Sequence, residues 1–162
     1  MSASDITLRP GFPGDAKPLF ESGAVDAWAV WPPFVEEQLI AKRGHTLPGG
    51  DAKIQSVMSL HSSVIQDHPA VAQALVSATQ RAKRWMAANP DEAQSIVAQS
   101  LKLPSEVVRL AWPKHNWAAA LTEDVLMDIE DKSRFLTEQG VVRKGVVIDI
   151  RKELIDLKYL KR

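Results

Sequence analysis

Asp26 and Trp28 stand two residues apart in the run Gly23–Phe34, GAVDAWAVWPPF. In an extended chain that spacing puts both side chains on one face. A carboxylate beside an indole suits a pocket for a small polar organic molecule: the acid meets an amine and the ring walls a carbon chain. Val25, Ala27, Ala29 and Trp31 fall on the other side of the same period-2 pattern. A tryptophan in a strand also serves as core, and an acid at a strand's start serves as a cap, so both readings stand beside the ligand-contact one.

The remaining reactive side chains form no constellation. His45, His61, His68 and His115 are scattered, with no H-E-x-x-H and no pair at metal-ligand spacing, and they read as surface or capping residues. There is no G-x-S-x-G elbow, P-loop or dinucleotide fingerprint. The glycines of Gly11–Gly14 and Gly49–Gly50 are too few to cradle a phosphate. The acid pairs Glu36–Glu37 and Glu123–Asp124 sit where helices start, and the helix dipole accounts for them. Lys83, Arg84 and Lys158–Arg162 read as solvated helix ends. Catalysis, a cofactor and a metal site are therefore not expected.

Composition narrows the class further. Apolar residues make up 45% and charged residues 25% of the 162, as in an ordinary globular domain with room for a core. Twenty basic side chains balance twenty acidic ones, which argues against nucleic acid or an anionic membrane as the main partner. The absence of cysteine removes disulfide, thiolate and zinc–thiolate chemistry. No apolar run reaches membrane-spanning length. The opening MSASDITLRPGFPG has no basic segment followed by an apolar one, so it does not read as a secretory signal.

The elements that must position Asp26 and Trp28 follow from periodicity and punctuation. Asp5–Leu8 reads as a short strand. Gly14–Asp15 opens a helix with Asp15 as its cap and Ala16, Leu19 and Phe20 as its apolar face, and Gly23 closes it in a left-handed conformation. Gly23–Trp31 then reads as one buried strand, ended by Pro32–Pro33, which together lack two N–H donors. Glu36–Lys42 is a short helix, Gly44–Asp51 a loop, and Ile54–Ile65 a second strand. From Pro69 the pattern turns helical, with Val71, Leu75, Ala78, Ala82, Trp85 and Met86 as one apolar stripe. Asn89 caps a further helix buried through Ile96, Val97 and Leu101. Leu103–Ser105 starts another, with Val107, Val108, Leu110 and Ala111 inward. Thr122 caps a longer helix carrying Val125, Leu126, Ile129 and Leu136, which Gly140 ends. Val141–Ile150 is extended, and Asp149 caps a last turn. The helices share no common length or spacing, which excludes a solenoid.

The run from Ser4 to Phe34, SDITLRPGFPGDAKPLFESGAVDAWAVWPPF, resembles the periplasmic solute-binding proteins of ABC importers, above all the aliphatic-sulfonate, taurine and nitrate binders. Members carry a short strand, a "D-A" helix, a "sG-x-vDAW-x-vW" strand, then a proline and an aromatic. The likeness continues through HPAVAQALVSATQRAKRWMAANPDEAQSIVAQSLKLPSEVV to the final "Gvv…vdir-eLid-kYL". It covers nearly the whole chain but the second half of a family member. No single motif is as specific as a metal-ligand set; the ordered succession is what carries it.

The resemblance implies an α/β fold, a partial type II periplasmic-binding-protein fold. A short mixed sheet flanked by helices is expected, with the N-terminal lobe absent. Residues 1–33 would be the remnant of the second lobe and hinge strand, and 34–162 the mostly helical C-terminal part of the first lobe. By similarity Asp26, Ala27 and Trp28 face the ligand cleft and Trp31 lies close to it. The ligand would be a small anionic or zwitterionic compound, the partner of the full-length parent a permease, and the compartment the periplasm. Pro32 departs from the acidic or small residue that members often have, which puts any hinge hydrogen bond there in doubt. With half a cleft and no leader, the chain is expected to be a mature piece, a shortened gene or an engineered excerpt. Such a piece should bind poorly and associate with itself. Two other functions compete. One is a sensory or truncated binding-protein-like domain. The other is an enzyme like the pyrimidine synthases of thiamine biosynthesis, whose cysteine-rich iron motif this chain lacks.

Overall fold

Proline and left-handed residues set where the helices begin and end. The structure, a computed structural model, describes residues 5–49, 52–117, 121–143, 145 and 148–159. Among these residues seven α-helices run in chain order: α1 (Pro13–Glu21), α2 (Phe34–Ile40), α3 (Ser62–Asp67), α4 (Pro69–Ala88), α5 (Pro90–Leu101), α6 (Ser105–Ala111) and α7 (Glu123–Glu138). Pro13 and Pro69 open α1 and α4, where a missing N–H costs nothing. Gly23 and Gly140 close α1 and α7 at φ +73°. In both, paired backbone bonds fold back onto the last turn: Gly23 N–H to Phe20 O and Ala24 N–H to Leu19 O, then Gly140 N–H to Thr137 O and Val141 N–H to Leu136 O. Lys42 (φ 55°) and Lys102 (φ 54°) do the same for α2 and α5 without the freedom of glycine.

The expected mixed sheet is not found: among the described residues there is no strand. The buried strand over Gly23–Trp31 is instead a turn at residues 22–23, a bend at 24–26 and an unpaired stretch at 27–31. The strand over Ile54–Ile65 divides into an unpaired run and helix α3, which His61 starts by accepting the Ser63 N–H on Nδ1. Asp5–Leu8 is not a strand either. The physical reason is common to all three. A strand is stabilised by its neighbour's backbone, and a single extended segment with no ladder partner has only local preferences to obey.

The chain divides into two compact units. Unit 1 holds Met1–Gly50 and Asp91–Asn116, with α1, α2, α5 and α6. Its core is small-residue packing of α2 against α6, where Val107, Val108 and Ala111 are buried, with Ala93 and Ala98 of α5 also inside. Leu110, expected on the inner face, is exposed. The largest fully buried side chain is an acid: Glu36 of α2 is 0% exposed. Lys114, on the 3₁₀ turn Trp112–Lys114 that continues α6, brings its Nζ 2.6 Å from Glu36 Oε1.

Unit 2 holds Asp51–Pro90 and Trp117–Arg162. Here α3 packs on α4, and α7 packs on a π-helical turn, Ile150–Leu154. Asp149 caps that turn as expected. Its Oδ1 accepts the Lys152 N–H while Glu153 Oε1 accepts the Asp149 N–H. Arg151 clamps the turn to α7: its guanidinium forks onto Glu123 at 2.6 and 3.0 Å and reaches Glu130 at 2.6 Å. These bonds hold both carboxyls below the usual glutamate value and raise the Arg151 pKa further. Ala72, Leu126 and Ile150 are buried. The stripe expected to bury α4 faces outward instead: Val71, Leu75, Ala78, Ala82 and Trp85 are exposed, and only Met86 of the six is partly covered. Asn89, the residue before α5, finishes α4, with both its backbone N–H and its Nδ2 donating to Trp85 O. Gly50, Asp51, Val146, Val147 and the basic end Leu160–Arg162, read above as loop, extended chain and solvated tail, lie outside the described residues.

Three outcomes follow from this packing. Lys114→Met leaves the Glu36 carboxylate buried without a counter-charge and should cost about 3 kcal/mol, the low end of the range because Lys114 is 44% exposed. Adding Glu36→Met should recover most of that loss, and urea unfolding followed by circular dichroism measures both. Lys102→Gly relieves a left-handed lysine and should stabilise by about 0.5–1 kcal/mol, seen as a higher Tm, whereas Lys102→Ala should not. Glu123 and Glu130 have lowered pKa values when folded, so their contribution is complete above the usual value near 4.5 and is lost as pH falls below it. Protection factors for amide exchange at residues 150–154, corrected for the intrinsic rate at each pH, should therefore fall below that pH, and Arg151→Gln should remove this dependence.

Candidate functional site

The candidate stretch lies in unit 1, strung between α1 and α2. Phe20, in the last turn of α1, faces Trp28 with ring centroids 5.9 Å apart, and Trp28 faces Phe34 at 6.0 Å. Trp31 meets Phe34 edge-on at 6.4 Å and 78°. Gly44 backs onto the Phe20 ring, where a Cβ would come within 3.0 Å of Cζ. The stretch thus hangs on an aromatic row rather than on sheet hydrogen bonds, and aromatic pairs in tilted and edge-on contact are favourable arrangements.

Period 2 survives over part of this stretch. Trp28 and Val30 are half-buried, while Ala27, Ala29 and Trp31 are exposed. Asp26 sits in the preceding bend, exposed, and no hydrogen bond or ion pair holds it among the described residues. The structure therefore brings Trp28 and Trp31 together on Phe34, with Trp28 inward and Trp31 outward at 48% exposure. Asp26 and Ala27 are exposed as well. A cis peptide joins Pro32 to Pro33 as the chain turns into α2.

A polar network flanks the aromatic row. Lys17 Nζ donates to Glu37 Oε2 at 2.7 Å. Glu21 Oε1 accepts from Gln38 Nε2 at 3.0 Å and from Arg43 at 2.7 Å. The Gln38 amide, with Arg43 and Lys17 nearby, holds the Glu21 carboxyl below its usual value. These bonds tie α1 to α2 and so fix both ends of the stretch that carries Asp26 and Trp28. Sequence reasoning missed this network and the buried Glu36. Both acids of Glu36–Glu37 read as dipole partners at a helix start, and nothing in FVEEQLI distinguishes the one that turns inward.

Unit 2 carries a separate cavity of about 460 Å³. Its wall is mostly apolar, with Ile54, Ile129, Leu136, Ile150 and Leu154, and Lys132 at its edge. Lys132 is already paired with Asp128. Among the described residues there is no group of three or more His, Asp or Glu that could hold a metal ion. No helix there is long and apolar enough to cross a membrane.

Residues 2–102 match the NMT1-like family. The chain is also 20% identical over 162 residues to a protein of Bacillus subtilis (strain 168) described as a candidate aliphatic sulfonates-binding protein. That alignment takes in 98% of this chain and 48% of the relative, so the chain spans about half the length of the curated relative it matches. No solved structure matches. With the family's pattern running through more than half of its residues, the chain belongs to the NMT1-like family.

Proposed function

We propose that this chain serves solute binding, as part of the receptor of an ABC importer for aliphatic sulfonates or related small oxyanion and organosulfur compounds. The observation that carries the reading is the likeness to the sulfonates-binding relative, which extends across 98% of the chain and includes the stretch holding Asp26, Ala27, Trp28 and Trp31. In this reading residues 1–33 correspond to the second lobe and hinge strand of a receptor and 34–162 to part of the first lobe. The partner is a permease and the compartment is periplasmic. The chemistry of the stretch suits it: binding by contact and charge, without a reacting group.

The roles follow from exposure. Trp31 presents an open indole to an alkyl chain. Asp26 is an exposed carboxylate in the bend that precedes this stretch, so it attracts an ammonium and repels an uncompensated sulfonate. A zwitterionic aminoalkane sulfonate such as taurine is therefore the better ligand than an alkane sulfonate of equal length. Nitrate, which has neither group, is the weakest of the three.

A calorimetric titration of the full chain tests this. Taurine should bind up to about fivefold more tightly than ethanesulfonate, the equivalent of roughly 1 kcal/mol for an exposed charge pair. Asp26→Asn should erase or reverse that preference, and Trp31→Ala should weaken both ligands. Trp31 is the residue to change because Trp28 supports the aromatic row, and its removal tests folding instead. Equal binding of both sulfonates by the wild type and both variants would overturn the site.

A further inference from the structure

We infer that Gly44 is a positioning residue for the ligand wall: its missing side chain gives the Phe20 ring the place from which the aromatic row holds Trp28 and Trp31. The inference rests on the solute-binding reading for what the row contacts, and on geometry alone for how the row is held. Gly44 lies beyond α2, outside the stretch that carries Asp26 and Trp28, and all of these residues belong to unit 1.

Glycine most often answers a demand of the backbone. Gly23, Gly49, Gly140 and Gly145 take positive φ, and a Cβ on any of them would meet nothing within 4 Å. Gly44 is the reverse case. It is not among the positive-φ residues, so its backbone accepts a side chain. Yet a Cβ there would stand 3.0 Å from Phe20 Cζ and 3.4 Å from Cε1. Carbon atoms in ordinary contact lie about 3.5–4.0 Å apart, so the ring would have to yield by roughly half an ångström. What glycine supplies at this position is room, and the ring of Phe20 takes it.

Three consecutive residues dock this corner on α1. Lys42 turns the chain back at φ 55°, with its N–H donating to Leu39 O and the Arg43 N–H to Gln38 O. The Arg43 guanidinium then donates to Glu21 Oε1 at 2.7 Å, and Gly44 meets Phe20, the neighbour of Glu21 in the last turn of α1. The ion pair fixes which residues face each other, and the glycine sets how closely they approach. From Phe20 the row runs to Trp28 at 5.9 Å, to Phe34 at 6.0 Å and to Trp31 at 6.4 Å. Phe34 is the first residue of α2, and the stretch from Ala27 to Trp31 is not a strand. A displaced Phe20 therefore alters the Trp28 contact, and Trp28 and Trp31 share one short stretch of backbone.

Gly44→Ala tests this with two readouts. In a heteronuclear NMR spectrum it should shift the indole N–H peaks of Trp28 and Trp31 and leave that of Trp85, in unit 2, in place. By calorimetry it should weaken taurine and ethanesulfonate by the same factor, roughly threefold, because it moves the wall and leaves the charge of Asp26 alone. Phe20→Leu removes both ring atoms that the methyl group would meet, so adding Gly44→Ala to it should change neither peaks nor affinities further. If Gly44→Ala loses its helical circular dichroism, the double variant should regain it. Unmoved Trp28 and Trp31 peaks would overturn the inference, as would shifted peaks with both affinities unchanged. So would an altered ratio between the two ligands, or an effect of Gly44→Ala that persists in full beside Phe20→Leu. A wild type that binds neither sulfonate counts against the solute-binding reading instead, and the peaks then decide how the row is held.

Discussion

The buried Glu36 carboxylate is the constraint around which unit 1 is arranged. Removing a carboxylate from water is costly, and the charge of Lys114 at 2.6 Å compensates for it. That pairing fixes where the 3₁₀ turn after α6 must sit, since Lys114 is carried by it. It also fixes which face of α2 meets Val107, Val108 and Ala111. With that face settled, Glu37 and Gln38 turn toward Lys17 and Glu21 of α1. The stretch carrying Asp26, Trp28 and Trp31 is then spanned between two helices whose separation is already set.

Unit 2 is held by different means. Its buried residues among those described are few, and Arg151 joins the last turn to α7 through two glutamates. A forked guanidinium suits this task because its planar donors match a carboxylate edge. The same unit leaves Ile54, Leu136 and Leu154 around an open cavity and the apolar stripe of α4 uncovered. Specific polar clamps thus fix the geometry where apolar burial is thin.

Helix boundaries were legible in the sequence because their causes are local. Proline at a first position and glycine beyond a last one act on their own residues, so Pro69, Gly23 and Gly140 could be placed without knowledge of the rest. Which helix an end group serves was less legible: Asn89 stands between α4 and α5, and its amide bonds backward to Trp85 rather than forward. The aromatic character of the candidate site could be read as well. Its support could not, because the contacts of Trp28 with Phe20 and Phe34 depend on two helices meeting.

Strands failed for the opposite reason. GAVDAWAVW and IQSVMSL carry the alternation and β-branched residues of sheet, and the former keeps its inward and outward positions from Ala27 to Trp31. Alternation states that a segment suits a ladder; the ladder itself must come from another segment. The same holds for the stripe from Val71 to Trp85, whose spacing describes a face fit for burial and says nothing of what buries it. A pattern of side chains is one half of an interaction, and here the helices supply their own second half while the extended segments do not. That is why the family likeness runs through stretches that are unpaired in this structure: the residues retain the preferences of a sheet, and the backbone adopts the conformation that its present neighbours allow.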